Sequence, residues 1–183
     1  MRRQLSIIRA YFVFTIGLIC ILGGILYVVH SSTDNIISEL TLNRVQSANR
    51  ELVNYIQSLQ NATLRWAEAI SRDENIINHI KNSDRESIKR YLETLRTGMD
   101  FATVCDSNGI VLVRTHSFLA GDDISGYKSV SVALQSGVSS SSIERIASLE
   151  GHFSIYTSAP VYDGDTVIGS ANCNYDLEKV DFL

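Results

Sequence analysis

Two basic side chains stand two positions apart in a stretch whose composition predicts a β-strand. Arg114 and His116 continue an alternation that begins with Ile110 and Leu112. Successive strand side chains point to opposite faces, so we expect these four residues to share one face. A guanidinium pairs with a carboxylate through two parallel hydrogen bonds, and histidine adds a donor whose charge is tunable near neutral pH. The pair therefore predicts a site for a small carboxylate.

An alternative keeps both groups at the surface, at the end of a β-hairpin. In that case Arg114 would pair with Asp122 or Asp123 in the loop that follows. Exposure is the usual condition of an arginine. The sequence alone leaves both arrangements open.

A second set of polar side chains alternates along a later predicted strand. Ser154, Tyr156 and Ser158 share one face of it, and the opposite face is largely apolar. One face of this strand is therefore suited to a core. The other is free to line a pocket or to meet water.

Composition and motifs argue against several classes of protein. The chain has 183 residues and a net charge of −4, with no basic stripe, so no nucleic-acid partner is expected. Its three cysteines and four histidines match no zinc or redox spacing, so neither a metal site nor a cofactor is expected. Nucleophile-elbow, P-loop, dinucleotide-binding and zinc-protease patterns are all missing from the sequence. We expect no catalytic residues and no enzyme activity.

The N-terminal region predicts a membrane anchor. Residues 10–29 are apolar and uncharged and, as a helix, would span about 30 Å, the thickness of a bilayer core. A cleaved signal peptide is the alternative, but it would have a shorter apolar region and a small-residue cleavage site. Arg2, Arg3 and Arg9 precede the run, and Asp34 is the first charge after it. The positive-inside rule therefore predicts a cell-membrane protein with residues 1–9 cytoplasmic and the remainder extracytoplasmic.

Residues 30–98 read as an extracytoplasmic helical segment. Apolar residues recur every seven positions and predict an amphipathic helix that packs on its own domain or on a partner subunit. They are Val45, Leu52, Leu59 and Trp66. Residues 71–74 predict a break. Ser83 and Glu86 form a capping box that opens a third helix, and Gly98 is expected to end it.

After residue 98 the periodicity becomes that of strands. An Asn-Gly turn joins the first two into a hairpin, and a short helix precedes three more strands. The predicted strands are 101–106, 110–116, 138–146, 152–162 and 166–175, with the helix at 128–135. The predicted fold class is α+β, with long helices followed by a mostly antiparallel sheet.

Several short stretches of the sheet region occur in a characteristic order. They are Asp106-Ser107-Asn108-Gly109, Val113-Arg114-Thr115-His116, Gly121-Asp122-Asp123, Ser131-Val132-Ala133-Leu134, Ile143-Glu144, Ala159-Pro160-Val161-Tyr162-Asp163 and Val167-Ile168-Gly169-Ser170-Ala171. In this order they resemble the single Cache domain, a PAS-like sensor module of bacterial methyl-accepting chemotaxis proteins. The anchor and the long helix also fit that architecture.

The resemblance implies a Cache-like sensor domain over residues 99–176, with residues 177–183 starting an exit segment toward a second transmembrane helix. It also implies that a small ligand binds between the sheet and the loop and helix that follow the first hairpin. Tyr127 and Lys128 open that helix and would close the pocket. The predicted ligand-binding residues are Arg114, His116, Tyr127, Lys128, Tyr156 and Ser158.

Two details qualify this expectation. Tyr156 stands where related sequences usually have an arginine, which favours a less acidic ligand or no small ligand. PAS-like sheets pair their first and last strands, which would bring Cys105 close to Cys173. A disulfide is permitted outside the cytoplasm, although neighbouring strands often give unsuitable Cβ geometry.

The function that the resemblance implies is the input region of a transmembrane chemoreceptor that binds a small organic acid, with a homodimer expected. Two other functions remain open. The same sensor fold could drive a histidine kinase or a diguanylate cyclase. It could also serve as a stand-alone anchored binding module.

Overall fold

The chain divides into two compact units, Met1–Val53 and Asn54–Leu183. The computed structural model describes residues 2–95, 99–147 and 151–179, and the side chains within these ranges except those of residues 2–13 and 34–38. Helix α1 (Arg2–Ser71) contributes residues to both units. Each unit is described by itself.

The first unit contains the predicted anchor. Phe14–Thr33 is long and apolar enough to cross a membrane, by length and composition, and none of it is buried by other parts of the chain. It overlaps the predicted anchor, residues 10–29, from Phe14 onward, and the side chains before Phe14 lie outside the described ones. An unburied, uncharged apolar helix of this length is what a lipid environment requires.

The second unit begins with the end of α1 and two short helices, α2 (Glu74–Lys81) and α3 (Arg85–Thr94). Asp73 caps α2 by accepting the Asn75 N–H at 2.8 Å. Asp84 caps α3 by accepting the Ser87 N–H at 3.1 Å. The predicted capping box of Ser83 and Glu86 is therefore wrong by one residue, since an aspartate caps as well as a serine does. Gly98, expected to end α3, lies outside the described residues.

Five antiparallel strands follow, with one helix between the second and third. They are β1 (Phe101–Asp106), β2 (Val111–Arg114), α4 (Lys128–Ser136), β3 (Ser140–Ile146), β4 (His152–Asp163) and β5 (Thr166–Asp176). The strand order is β2-β1-β5-β4-β3, so the first and last strands pair at the centre. A short 3-10 helix, Leu177–Lys179, comes last among the described residues, so the predicted exit segment is described only to residue 179. The predicted α+β class is confirmed.

The sheet packs on both faces. One face packs against the end of α1, α2 and α3, with a core that includes Ile70, Ile76, Ile88, Leu92, Val104, Val113, Ala159, Val161, Ala171 and Cys173. The other face packs against α4 through a smaller cluster of Cys105, Val111, Ile124, Val130, Ile146 and Tyr156. The chain can therefore place polar groups on the α4 side without disrupting the larger core.

A β-bulge in the first hairpin changes which side chains share a face. Val104 pairs with Val113, but Cys105 pairs with Val111, so Leu112 is the extra residue. Leu112 and Val113 both join the larger core. The predicted common face of Ile110, Leu112, Arg114 and His116 is therefore wrong for Leu112. Strict alternation does not survive a bulge.

Candidate ligand-binding site

The face of the sheet toward α4 is polar and buried at its centre. We call the following residues the polar face: Thr103, Arg114, Ser154, Tyr156, Ser158, Ser170, Asn172 and Asn174. Strand register places them together, because Thr103 lies opposite both Arg114 and Asn172, and Tyr156 lies opposite Asn174. Arg114, at 6% exposure, is the most exposed of them. A buried surface this polar requires a hydrogen-bond partner for each group.

Strand β5 shows how the sequence builds this face. Ser170, Asn172 and Asn174 alternate with Ala171 and Cys173, which point into the larger core. The sequence analysis assigned no role to these two asparagines. The signal was present, as a period-two polar pattern in a strand that is buried on both faces.

Arg114 is both buried and paired. One terminal nitrogen, Nη2, donates to the Asp122 carboxylate, and Nη1 donates to the Leu119 carbonyl oxygen at 3.5 Å. The pairing with Asp122 that the sequence left open is therefore present, but the guanidinium is not on the surface. These contacts use two of its five N–H donors.

His116 lies beside Arg114 and against an aromatic ring. Its imidazole and the Phe101 ring have centroids 4.3 Å apart, and Phe101 is opposite Asn174 across the strands. Burial, assisted by the charge of Arg114, lowers the pKa of His116 below its ordinary value of 6.5. The ring is therefore neutral at pH 7.

Two tyrosines meet where α4 begins. The rings of Tyr127, which precedes α4, and Tyr156 are 5.1 Å apart at their centroids. Burial raises the pKa of Tyr156 far above its ordinary range, so the phenol stays protonated. Next along β4, the Ser158 hydroxyl donates to Ser129 of α4 at 3.1 Å.

The structure brings five of the six predicted residues to this region, and Lys128 differs from them. The Lys128 side chain is exposed, and its backbone N–H donates to the Glu144 carboxylate at 2.8 Å. Lys128 is therefore held through its backbone at the start of α4, and its side chain does not contact the polar face.

Two residues of the polar face are buried without hydrogen bonds. Among the residues that the structure describes, neither the nitrogen nor the oxygen of the Asn174 amide has a partner, and the Ser154 hydroxyl also has none. The adjacent Asn172 differs, since it accepts from Ser170 at 3.0 Å and donates to the Thr103 carbonyl at 3.2 Å. An unpaired buried polar group costs about 1–3 kcal/mol. Groups retained at that cost are candidates for contact with a bound molecule.

The predicted disulfide is not supported. Cys105 and Cys173 are both free and fully buried. Cys105 points toward α4, where its sulfur is 3.0 Å from the Ser170 hydroxyl, while Cys173 lies in the larger core. Their strands do pair, but Cys105 is opposite Ser170, an odd number of positions from Cys173. Opposite faces of a sheet cannot be bridged by one S–S bond.

No metal centre is evident within the described ranges, where no group of three or more His, Cys, Asp or Glu side chains is arranged to hold an ion. An open cleft of about 190 Å³ lies at the outer edge of β2, between α3 and the loop that follows β2. Arg114 lines it together with Arg85 and Lys89, and the Lys89 ammonium lies 3.8 Å from the centroid of the Phe118 ring. The guanidinium is thus adjacent to solvent-accessible space.

A five-stranded antiparallel sheet with helices on one face and a buried polar surface under a helix on the other defines a ligand-sensing domain of the Cache class. Residues 38–183 match the dCache_3 family, described as the double sensory domain of two-component sensor kinase, and the chain belongs to this family. Sensor domains of this family bind ligands and are not themselves catalytic. The description names a double domain, whereas the sequence predicted a single one. The described residues of this chain form one five-stranded sheet.

Solved structures with the same fold come from histidine kinases and chemoreceptors. The sensor domain of the V. cholerae histidine kinase DctB is 17% identical, with a TM-score of 0.67 over 76% of this chain and 57% of that one. The E. coli DcuS sensor domain is 19% identical, with a TM-score of 0.58 over 67% of this chain and 92% of that one. The chain therefore spans little more than half of the DctB domain.

A third structure, the ligand-binding domain of the Pseudomonas aeruginosa amino acid chemoreceptor PctC in complex with GABA, is 15% identical. Its TM-score is 0.55 over 74% of this chain and 64% of that one. At these identities the likeness shows the fold. Comparison with curated proteins gave no match.

Proposed function

We propose that this chain is the extracytoplasmic, ligand-sensing input region of a transmembrane chemoreceptor and that it binds a small organic acid on the polar face. The buried guanidinium of Arg114 carries the proposal. A charge kept out of water is costly unless it is paired, and a ligand carboxylate is a natural additional partner. The ligand-binding domain of the amino acid chemoreceptor PctC, which has the same fold, is in complex with GABA, a small molecule with a carboxylate, and this supports a small organic acid as the ligand class.

We propose a role for each residue of the site. Arg114 pairs with the carboxylate, while Asp122 holds the guanidinium from the loop side. Neutral His116 adds a hydrogen bond, and Tyr127 and Tyr156 enclose the ligand under α4. Ser158 links the strand to α4 through Ser129. Lys128 is left outside the contacts, since its side chain is exposed.

Binding of organic acids to the full chain in detergent tests the site. Thermal-shift screening should find an acid that stabilises the protein, and Arg114→Gln should weaken its binding by about tenfold or more, because a charge-assisted bidentate pair is lost. Arg72→Gln is the matched control, since the Arg72 side chain is 78% exposed. The melting temperature without ligand shows whether each variant is folded. If no acid stabilises the protein, or if Arg114→Gln binds as well as Arg72→Gln does, the assignment is wrong.

A second candidate output is favoured by one observation. The family is described as belonging to two-component sensor kinases, and the DctB sensor domain has the same fold. The same input region would then control a histidine kinase. Coding sequence downstream of Leu183 distinguishes the two, because a coiled-coil signalling domain has a strict heptad pattern and a kinase domain does not.

We also propose that the chain forms a homodimer. Several apolar side chains of α1 within residues 39–53 are exposed, namely Leu40, Leu42, Val45, Leu52 and Val53. A second copy of the helix would bury them. Mass measurement of the detergent-solubilised chain by light scattering should give a dimer. A monomer that persists at high protein concentration would contradict the proposal.

A further inference from the structure

The Asn174 amide is the strongest unexplained feature of the polar face. Asn174 is 1% exposed, Ser154 is fully buried, and none of their side-chain polar atoms has a partner among the described residues. We infer that Asn174 and Ser154 form a second anchoring point of the site and bind a neutral ligand group that both donates and accepts hydrogen bonds, such as a carboxamide or a hydroxyl. This inference rests on the proposed function, which supplies the acid-binding end at Arg114.

The chemistry of the asparagine side chain selects the ligand group. Its nitrogen donates and its oxygen accepts, and both are unpaired. A carboxylate would satisfy only the nitrogen, and an ammonium would satisfy only the oxygen. A carboxamide satisfies both in one bidentate pair, and it does so whichever way the asparagine amide is turned. A hydroxyl also offers a donor and acceptors, which Ser154 can share.

The surrounding charges favour a neutral group as well. Two carboxylates are directly opposite Ser154 in register, Asp176 on β5 and Glu144 on β3. Glu144 accepts from the Lys128 N–H at 2.8 Å and from the Ser142 hydroxyl at 2.7 Å. Asp176 already accepts the Glu178 N–H at 3.1 Å and lies 3.3 Å from the His152 imidazole. Both carboxylates are therefore engaged in local contacts. Tyr156, opposite Asn174 on the other strand, is a neutral phenol.

Strand register sets the distance that a ligand would span between the two anchoring points. Arg114 on β2 and Asn174 on β5 are separated by two strand spacings across the sheet and by two residues along the strand. Standard strand spacings then put their Cα atoms about 12 Å apart.

Four probes test the inference, each with a four-carbon chain that ends in a carboxylate on one side and in a different group on the other. They are succinamate, 4-hydroxybutyrate, succinate and 4-aminobutyrate, titrated calorimetrically into the full chain in detergent. Succinamate and 4-hydroxybutyrate should bind about tenfold more tightly than succinate and 4-aminobutyrate, because only they satisfy both atoms of the Asn174 amide.

Substitutions then reverse or remove the preference. Asn174→Asp replaces the donor with a charged acceptor of the same shape and should move the preference toward 4-aminobutyrate. Ser154→Ala should lower the affinity for succinamate and for 4-hydroxybutyrate. Asn61→Asp, at an exposed position of α1, is the matched control and should leave the order of affinities unchanged.

The outcomes separate the inference from the function on which it rests. Equal affinity for succinamate and succinate, with binding still lost in Arg114→Gln, would overturn the second anchoring point alone. Failure of all four probes to bind would overturn both. If Asn174→Asp does not fold, the order of the four affinities in the unaltered chain decides.

Discussion

Burial governs what the polar side chains of the sheet can do. The pKa of Tyr156 is raised and that of His116 is lowered, in both cases chiefly because their charged forms would be poorly solvated. The phenol and the imidazole are therefore neutral near pH 7. Together with the amides of β5, they leave Arg114 as the principal charge of the polar face. A ligand must match one cationic group among mostly neutral hydrogen-bonding side chains, next to the carboxylates of Asp122 and Asp176, which already have partners.

His116 predicts a pH dependence of stability. Its pKa in the folded chain lies below the ordinary value of 6.5, so the unfolded chain binds the proton more readily. The contribution of neutral His116 to the free energy of unfolding is fully present above pH 6.5, and it is lost as the pH falls through the pKa of the folded chain. We expect His116→Gln to reduce the loss of unfolding free energy between pH 7.5 and pH 5.5.

Denaturant titrations at several pH values measure this effect, and an NMR titration of the His116 ring gives the pKa directly. The facing groups are Arg114 and Lys179, which lower the pKa, and Asp122, which raises it. An NMR pKa at or above 6.5 would contradict the prediction.

At the scale of elements, strand β4 connects the polar face to the end of α1 in the second unit. Thr157 lies between Tyr156 and Ser158 in the sequence but points the opposite way, toward the helices. Its hydroxyl is 2.8 Å from that of Thr63 and donates to Ser141 at 2.9 Å. Thr63 and Thr157 are fully buried. A change in β4 that follows ligand binding would therefore reach α1 through a hydrogen bond.

A double-mutant cycle tests the Thr63–Thr157 contact. Thr63→Val and Thr157→Val should each lower the free energy of unfolding by about 1–2 kcal/mol, because each leaves a buried hydroxyl without this partner. The double variant should lose less unfolding free energy than the two single variants lose together. The difference, which is the coupling energy, should be about 0.5 kcal/mol or more. Thr166→Val, at an exposed position, is the control. Additive costs would show that the two threonines do not interact.

At the scale of the whole molecule, one apolar helical segment and a sensor domain of extracellular type point to a membrane-anchored protein. The direction of insertion is our proposal and rests on charge. Three arginines precede Phe14–Thr33, and the flanking bias of basic residues sets orientation. The sensor would then face outside while residues before the span stay in the cytoplasm.

Topology reporters check this orientation. A fusion of alkaline phosphatase after residue 60 should be active, and a fusion of green fluorescent protein at the same place should be dark, because both respond to export. Replacing Arg2, Arg3 and Arg9 with serine should weaken the bias. An inactive phosphatase fusion together with a fluorescent green fluorescent protein fusion would place the sensor in the cytoplasm and refute the proposed orientation.

Local sequence patterns were enough to predict the class of fold, the order of the elements and the apolar segment. Those features depend on local periodicity and turn residues, as with the helix break after Ser71 and the Asn-Gly turn of the first hairpin. The composition of the polar face depended on tertiary structure. Alternation within one strand says which residues share a face but not what that face packs against, and one bulge beside Cys105 shifts the alternation.

The same limit explains the particular errors and omissions. Cys105 and Cys173 lie on paired strands, yet only the register shows that they face opposite ways. Asn172 and Asn174 look alike in the sequence, and only the packing shows that one is satisfied and the other is not. Hydrogen bonding and burial are properties of neighbours distant in sequence. For that reason the tertiary structure, and not the sequence, identified Asn174 as the feature that most sharply constrains the ligand.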